Sequence, residues 1–251
     1  MLDIASIAGV ILGFVSVFGG GMLEGIHLSS LIQFTAFLIV LGGSIAAMLI
    51  STPMDTIQLA MKLMKDVFIF NPGQMKFLAD EVIKYSELAR RESILSLEKN
   101  VNDAPHPFLQ RALRCAVDGY SPDTIADVME TEIALTEEKE TNAAKMFENA
   151  GGFAPTIGII GAVLGLIHVM NGLAKGGGTD ELGKGIAVAF VATIYGLFAA
   201  NIAFIPFGNK LKTRASFNKK LKQMMLAGVL GIVGGLNPRV IQERIRAYYE
   251  E

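Results

Sequence analysis

The sequence predicts an all-α membrane protein with four transmembrane helices and a helical cytoplasmic domain. Hydrophobic residues make up 51% of the 251 residues, mean hydropathy is +0.45, and the 18% charged residues are segregated along the chain. Four apolar stretches each have about the 20 residues that a helix needs to cross a bilayer. They run from Ile4 to Met22, Leu31 to Ile50, Gly151 to Ala174 and Ile186 to Phe207. No alternating pattern is long enough to predict a strand.

Residues 1–51 are predicted to form transmembrane helices 1 and 2. No basic segment precedes the first apolar stretch and no small-residue cleavage pattern follows it. We therefore expect a retained helix and not a signal peptide.

Residues 52–150 are predicted to form a helical cytoplasmic domain. Apolar residues recur at helical spacing in two places, and turn residues precede both. The first set follows Asn71-Pro72-Gly73, and the second follows Ser121-Pro122-Asp123. The first set is Leu78, Val82, Tyr85 and Leu88, and the second set is Ile125, Met129 and Ile133. Between them, Ala104 to Pro107 is expected to interrupt the helices.

Residues 151–208 are predicted to form transmembrane helices 3 and 4, each with a face of small residues. Such faces let helix backbones approach closely in lipid. The faces are Gly158, Gly161, Ala162, Gly165 on the third helix and Ala189, Thr193, Gly196, Ala200 on the fourth. They indicate either packing within one subunit or a wall around partner helices. Pro155 and Pro206, expected near helix ends, each free a backbone carbonyl one turn back.

Residues 209–251 are predicted to form a basic cytoplasmic helical segment, interrupted at Gly234 to Pro238. Lysines and arginines follow the second and fourth apolar stretches, whereas only Lys175 and Lys184 lie between the third and fourth. By the positive-inside rule the termini and the large loop are cytoplasmic. The acid-rich residues 51–150 can dock on this basic segment, which can also meet anionic lipid headgroups. No basic run is interleaved with aromatics, so nucleic-acid binding is not indicated.

The sequence does not indicate an enzyme, a cofactor or a metal site. No nucleophile, base and orienting acid recur together, and no phosphate-binding loop is present. The histidines at positions 27, 106 and 168 are far apart, and the lone Cys115 has no partner for an internal disulfide. His168 is predicted near the outer end of its helix, where an interfacial or packing role is favoured over a proton relay.

Several short motifs in a fixed order resemble the A subunit of the bacterial flagellar stator, the MotA/PomA family, along nearly the whole chain. They are Ala89-Arg90-Arg91, Leu95-Ser96-Leu97-Glu98, Asp118-Gly119, Ala154-Pro155-Thr156-x-Gly158-x-x-Gly161, Ala192-Thr193-x-x-Gly196, Pro206 with Lys210-Leu211, and Gly235-x-Asn237-Pro238-Arg239. The related TolQ/ExbB energisers resemble a plan with three crossings, whereas this chain is predicted to have four.

The resemblance implies that five such subunits surround two membrane helices of a MotB-like B subunit, whose single Asp binds the ion. This would explain why the apolar stretch from Gly151 to Met170 contains no carboxylate. Pro155 and Thr156 would lie beside that Asp, and Thr193 would line the ion path. Pro206 would couple protonation to shape. Arg90 and Glu98 would meet a FliG-like rotor switch protein, although without the resemblance they read as a solvated helix face.

The resemblance also bears on the transported ion. Sodium-type stators carry hydroxyls at the positions of Ala162, Ala192 and Thr193, and Na⁺ needs several oxygen ligands to replace its water. Ala162 and Ala192 remove two of those oxygens, so protons are predicted and Na⁺ is the alternative. An ExbB/TolQ-like energiser of an outer-membrane system and a non-conducting membrane scaffold are the alternative functions.

Overall fold

The computed structural model describes residues 2–176 and 178–249, which leaves the last two residues of the predicted C-terminal segment outside the described range. We number nine helical elements along this part of the chain. They are α1 Ile4–Leu23, α2 Leu28–Ser51, α3 Met54–Leu63, α4 Gln74–Glu92, α5 Pro107–Val117, α6 Pro122–Ala174, α7 Thr179–Phe198, α8 Ile205–Val233 and α9 Pro238–Arg246. Short 3₁₀ turns lie at Met64–Val67, Ile94–Lys99 and Val101–Asp103.

Four helical segments among the described residues are long and apolar enough to cross a membrane. They are Ile4–Leu23, Leu28–Ser51, part of Pro122–Ala174 and part of Gly185–Val233. The predicted fold class and the four predicted crossings are therefore confirmed. Within the described chain, extended pairing is limited to one isolated antiparallel bridge between Leu2 and Ile69.

The second membrane segment is not a continuous α-helix. Its first turn ends at Leu31, the backbone of Ile32 and Gln33 is extended, and helix resumes at Phe34. Extended backbone within a membrane segment is tolerated only where its polar groups are satisfied by protein or line a cavity. At this break the Tyr195 hydroxyl of α7 donates to the Leu31 carbonyl at 2.5 Å and accepts from the Gln33 N–H at 3.3 Å.

The third membrane segment differs from the expectation that a helix begins near Gly151. One helix of 53 residues runs from Pro122 to Ala174, and Pro155 lies inside it. The proline removes one backbone hydrogen bond, to the Gly151 carbonyl. Leaving the helical path in the bilayer would expose many more polar groups, so the helix continues. The expectation that Pro155 lies near a helix end is therefore wrong.

The end of the fourth membrane segment also differs, because helix does not stop near Phe207. α7 passes through a π-helical stretch, Ala199–Phe204, directly into α8, and Pro206 is the second residue of α8. A wider π turn just before a proline changes which backbone groups pair there, and such turns are frequent at functional sites. Pro206 therefore lies within a continuous helical path.

The chain divides into two compact units. The first unit contains residues 1–70 and 140–212, and the second contains residues 71–139 and 213–251. α6 contributes residues to both units. The apolar residues predicted for the large loop and the basic segment meet in the second unit.

The second unit has the larger apolar core. Leu78, Val82, Ile125 and Met129 of the two predicted helical repeats are at most 1% exposed there. Met224, Met225 and Ile241 from the chain after residue 212 fill the same core. The Lys219 ammonium lies 2.8 Å from the Glu137 carboxylate, so oppositely charged segments dock as predicted.

The break predicted at Ala104 to Pro107 positions α5 in the second unit. His106 is the N-cap, and its Nδ1 accepts a hydrogen bond from the Phe108 N–H at 3.1 Å. Pro107 is at the first helical position, where its missing N–H costs nothing. Burial first, and then the charge of Lys222, lowers the pKa of His106 below its usual value of 6.5.

Candidate functional site

The small residues of α6 and α7 bring the two helix backbones into contact in the first unit. A β-carbon built on Gly158 would lie 2.9 Å from the Ala192 carbonyl oxygen and 3.3 Å from the Thr193 Cα. One built on Gly196 would lie 3.1 Å from the Pro155 Cα. Separations under 3.0 Å are closer than real β-carbons come, so Gly158 cannot gain a methyl group without a shift of backbone.

The same face continues toward the C-terminal end of α6. β-Carbons on Gly161 and Gly165 would lie 2.7 Å from the Ala192 Cβ and 2.9 Å from the Ala189 Cβ. Of the two arrangements that the sequence left open, the structure shows these glycines packing within one subunit. Ala192 is 2% exposed and packs against Ala36, Val40 and Val191 of the same chain.

The opposite face of α6 is exposed. Thr156 lies on it, and its hydroxyl donates to the Phe153 carbonyl at 2.8 Å, one turn back. Ile160, Val163 and Ile167 follow at helical spacing and are each about half exposed. Pro155 and Ala162 are half-buried on the flanks. Among the predicted path residues, the structure thus places Thr156 where a helix from another chain can reach it.

Thr193 and Pro206 lie away from that face. Thr193 is half-buried on α7, and its Cα is close to Gly158. Pro206 is exposed and lines a cavity of about 380 Å³ together with Ser6, Asn201 and Lys210. Thr156, Thr193 and Pro206 therefore do not form one cluster of contacting side chains in this chain.

Asp3 is a residue near Pro206 that the sequence analysis missed. Its carboxylate caps α1 by accepting from the Ser6 N–H at 3.1 Å and lies 2.7 Å from the Lys210 ammonium. Asp3 is mostly buried, with 12% of its side chain exposed. An acid immediately before an apolar helix is a capping signal, and that signal was available in the sequence.

A cavity of about 650 Å³ lies among α2, α6 and α7 in the first unit. Gln33, Thr35 and His168 supply polar groups, and the rest of the lining is mainly apolar. His168 is exposed here, and its interfacial or packing role stays a prediction. Tyr195, which bonds the nearby break in α2, was also missed, because nothing in its spacing links it to residues 162 and 164 positions earlier.

Arg90 and Glu98 both lie on the surface of the second unit. Arg90 is in the last turn of α4, where its guanidinium donates a long hydrogen bond of 3.4 Å to the Gly235 carbonyl. Ser93 has a positive φ of 117° and reverses the chain into the 3₁₀ turn that carries Glu98. Leu97 is fully buried beneath this turn, while Leu95 is 68% exposed. The result is an exposed tip with both charges and one apolar side chain.

The described residues hold no group of three His, Cys, Asp or Glu side chains arranged to bind a metal ion. Burial first, and then the charge of Asp118, raises the pKa of the Cys115 thiol. Cys115 therefore has little thiolate character and is a poor nucleophile.

Four membrane helices, two of them joined backbone to backbone through small residues, and a helical domain with an exposed charged tip define a polytopic membrane protein with a large aqueous part. The chain belongs to the MotA/TolQ/ExbB proton channel family, whose model matches residues 100–224. A second model, motility protein A N-terminal, matches residues 7–92. This is a family of channel subunits, so the chain is not an enzyme.

Relatives of known name and structure match over almost the full length. Motility protein A of Bacillus subtilis is 37% identical, and the match covers 98% of this chain and 91% of the relative. The solved flagellar MotAB stator complex from Bacillus subtilis matches with a TM-score of 0.87 and 37% identity, covering 96% of this chain and 94% of that one. The structure of C. jejuni MotAB matches with a TM-score of 0.90 and 29% identity, covering 98% and 95%.

Proposed function

We propose that this chain is the A subunit of a flagellar motor stator. With a B subunit it forms an ion channel and converts ion-motive force into torque on the flagellar rotor. The observation that carries this function is the match along 96% of the chain to the flagellar MotAB stator complex, at a TM-score of 0.87. The four spans and the motility protein A relative favour this role over an outer-membrane energiser.

The ion-binding acid is proposed to come from the B subunit. The apolar part of α6 from Gly151 to Met170 contains no Asp or Glu, and ionisable groups in a membrane are expensive unless paired or solvated. Five copies of this chain are proposed to surround two B-subunit helices. The exposed face of α6 supports the placement of Thr156 beside the partner's Asp, with Pro155 next to it in the chain.

The transported ion is proposed to be the proton. A Na⁺ path needs several oxygen ligands at fixed positions, whereas Ala162 and Ala192 offer none from their side chains. The buried position of Ala192 between α6 and α7 supports a packing role for this residue. Thr193 is still proposed to line the ion path, and Pro206 is still proposed to couple protonation to shape, although each lies apart from Thr156.

The aqueous domain is proposed to lie in the cytoplasm and to face the rotor. The four spans are proposed to lie in the inner membrane. Arg90 and Glu98 are exposed at one tip, which supports their proposed contact with the rotor switch protein. Charges at such an interface steer the partner and set its orientation more than they add affinity.

Ion flux into vesicles tests the channel function. Vesicles with this chain alone should not dissipate a proton gradient. Vesicles with the A and B subunits together should dissipate it, provided that any segment of the B subunit that closes the channel has been removed. Robust flux from this chain alone would contradict the proposal.

Swimming speed in cells that depend on this chain distinguishes protons from Na⁺ as the driving ion. Motility that survives a protonophore and needs Na⁺ would identify a sodium stator.

Pro155→Ala tests the coupling role. It restores the missing backbone N–H without adding bulk, so the complex should assemble while torque falls by about tenfold or more. Gly172→Ala, on the same helix and with nothing within 4 Å of the added methyl group, is the control for a substitution on α6 outside the proposed path. Assembly is measured by co-purification with the B subunit and torque by the rotation of tethered cells. Normal rotation with Pro155→Ala would argue strongly against the assignment.

A further inference from the structure

The first turns of α8, directly after Pro206, are held on two sides by ion pairs. The Lys210 ammonium lies 2.7 Å from the Asp3 carboxylate, and the Lys212 ammonium lies 2.7 Å from the Glu148 carboxylate. Residues two positions apart on an α-helix point about 200° apart around its axis, so the two lysines extend to opposite sides of α8. One pair joins α8 to the start of α1, and the other joins it to α6.

The contact between α8 and α6 does not depend on its ion pair alone. A β-carbon built on Gly208 would lie 2.9 Å from the Ala144 carbonyl oxygen, and one built on Gly151 would lie 3.3 Å from the backbone nitrogen of Ile205. The two backbones therefore approach each other closely just before and just after Pro206. This contact would remain if the charges of the pair were removed.

The contact between α8 and the start of α1 depends more strongly on Asp3. The Asp3 N–H donates to the Phe68 carbonyl at 2.7 Å, and the Phe68 ring packs edge-on against the Phe207 ring, with 5.5 Å between the centroids. The cavity of about 380 Å³ that Pro206 lines is also lined by the first turns of α1. Close packing of the two helices therefore does not by itself set their separation at this level.

The Asp3 carboxylate is fixed to both helices. One oxygen accepts from the Ser6 N–H at the N-terminus of α1, where the helix dipole favours a negative charge. The other oxygen meets Lys210. Only 12% of the Asp3 side chain and 30% of the Lys210 side chain are exposed, so salt screens this pair less than it screens a surface pair.

We propose that Asp3 is a positioning residue for torque generation, which it serves by holding Lys210 and thereby the direction in which α8 leaves Pro206. Helices bend most readily at prolines and at π turns, and both occur here, in Ala199–Phe204 and at Pro206. With Lys210 held to α1, a change of bend at Pro206 displaces α8 in one direction. Without the pair, the first turn of α8 can shift against α1 and absorb that change. This inference rests on the proposed stator function.

Torque per stator unit tests the role of the pair. When a bead is rotated at high load, its speed rises in steps as stator units join the motor, and the step height reports the torque of one unit. Asp3→Asn removes the charge and keeps the cap of α1, since asparagine is as good an N-cap as aspartate. We expect Asp3→Asn and Lys210→Gln each to lower the step height at least twofold, and Lys210→Arg, which keeps the charge, to retain most of it.

The double variant Asp3→Asn with Lys210→Gln tests whether the two residues act as a pair. Its step height should be no lower than that of the weaker single variant, because each single change already removes the same interaction. Losses that multiply in the double variant would overturn the proposal.

Glu137→Gln is the matched control, because it removes an ion pair of similar length, 2.8 Å to Lys219, in the second unit. Its step height should be unchanged, and its unfolding midpoint should shift about as much as that of Asp3→Asn. An unchanged step height in Asp3→Asn, with a lower midpoint or fewer joined units, would give Asp3 a structural role only and overturn the proposal. If the original chain supported no stepwise rotation, the stator function itself would be contradicted, and this inference with it.

Discussion

Single glycines set how closely α6 and α7 approach. Gly158→Ala would place a methyl group 2.9 Å from the Ala192 carbonyl oxygen. We expect the free energy of unfolding to fall by about 1–3 kcal/mol, as overpacking does, which outweighs the better helix propensity of alanine. Gly172→Ala on the same helix meets nothing within 4 Å and should be neutral or slightly stabilising. Thermal unfolding of the solubilised protein measures both variants, and equal midpoints would contradict backbone contact at Gly158.

Tyr195 is a second residue whose effect depends on one atom. Tyr195→Phe removes a donor to the Leu31 carbonyl and an acceptor for the Gln33 N–H while keeping the ring. Each buried backbone group left unpaired costs about 1–3 kcal/mol, so we expect a lower unfolding midpoint and faster amide exchange at residues 31–33. Tyr120→Phe, at a 47% exposed tyrosine, is the control. Unchanged exchange at the break would show that the hydroxyl does not hold it.

At the scale of elements, α5 depends on a titratable cap. His106 accepts from the Phe108 N–H through Nδ1, which requires a neutral ring, and its pKa is lowered chiefly by burial. Below about pH 6.5 the unfolded chain gains a proton that the folded chain resists. The stabilisation is therefore present above that pH and is lost as pH falls through the folded pKa.

His106→Asn separates this effect from general acid sensitivity. Asparagine is a good N-cap that does not titrate, so the fall in unfolding midpoint between pH 7.5 and pH 5.5 should be smaller than in the original chain. His106→Ala, which removes the cap, should lower the midpoint at pH 7.5 by an amount equivalent to about 1 kcal/mol. Parallel pH profiles for the original chain and His106→Asn would contradict the assignment.

Element boundaries show where local signals are insufficient. The break at Ala104 to Pro107 was predicted correctly, because two prolines and a capping residue act within one turn. The start of the third membrane helix was predicted incorrectly, because Pro155 resembles a helix boundary. In α6 the lost bond at Pro155 is a small cost compared with exposing backbone in the bilayer, and α7 packs against this same turn through Gly196.

At the scale of the whole molecule, the exposed tip offers a test of the rotor contact. Arg90→Glu should leave the unfolding midpoint nearly unchanged, since exposed charges contribute about 0–1 kcal/mol. It should lower swimming speed by at least about twofold through repulsion at the interface. Glu98→Lys should act in the same direction, and Lys76→Glu, at another exposed lysine of α4, should have little effect. If Arg90→Glu lowered the unfolding midpoint together with the swimming speed, the residue would act in folding and not at the rotor contact.

The four spans, the apolar faces of the helices in the second unit and the segregation of charge could all be inferred from residue order. These properties depend on local periodicity and on the free energy of transferring side chains from water. Both can be evaluated from the sequence without knowledge of the fold. The pairing of Gly158 with Ala192, the ion pair of Asp3 with Lys210 and the bonds of Tyr195 to a broken helix could not be inferred. Each joins residues tens to hundreds of positions apart, and many pairings of small or polar residues satisfy the same sequence pattern until packing selects one.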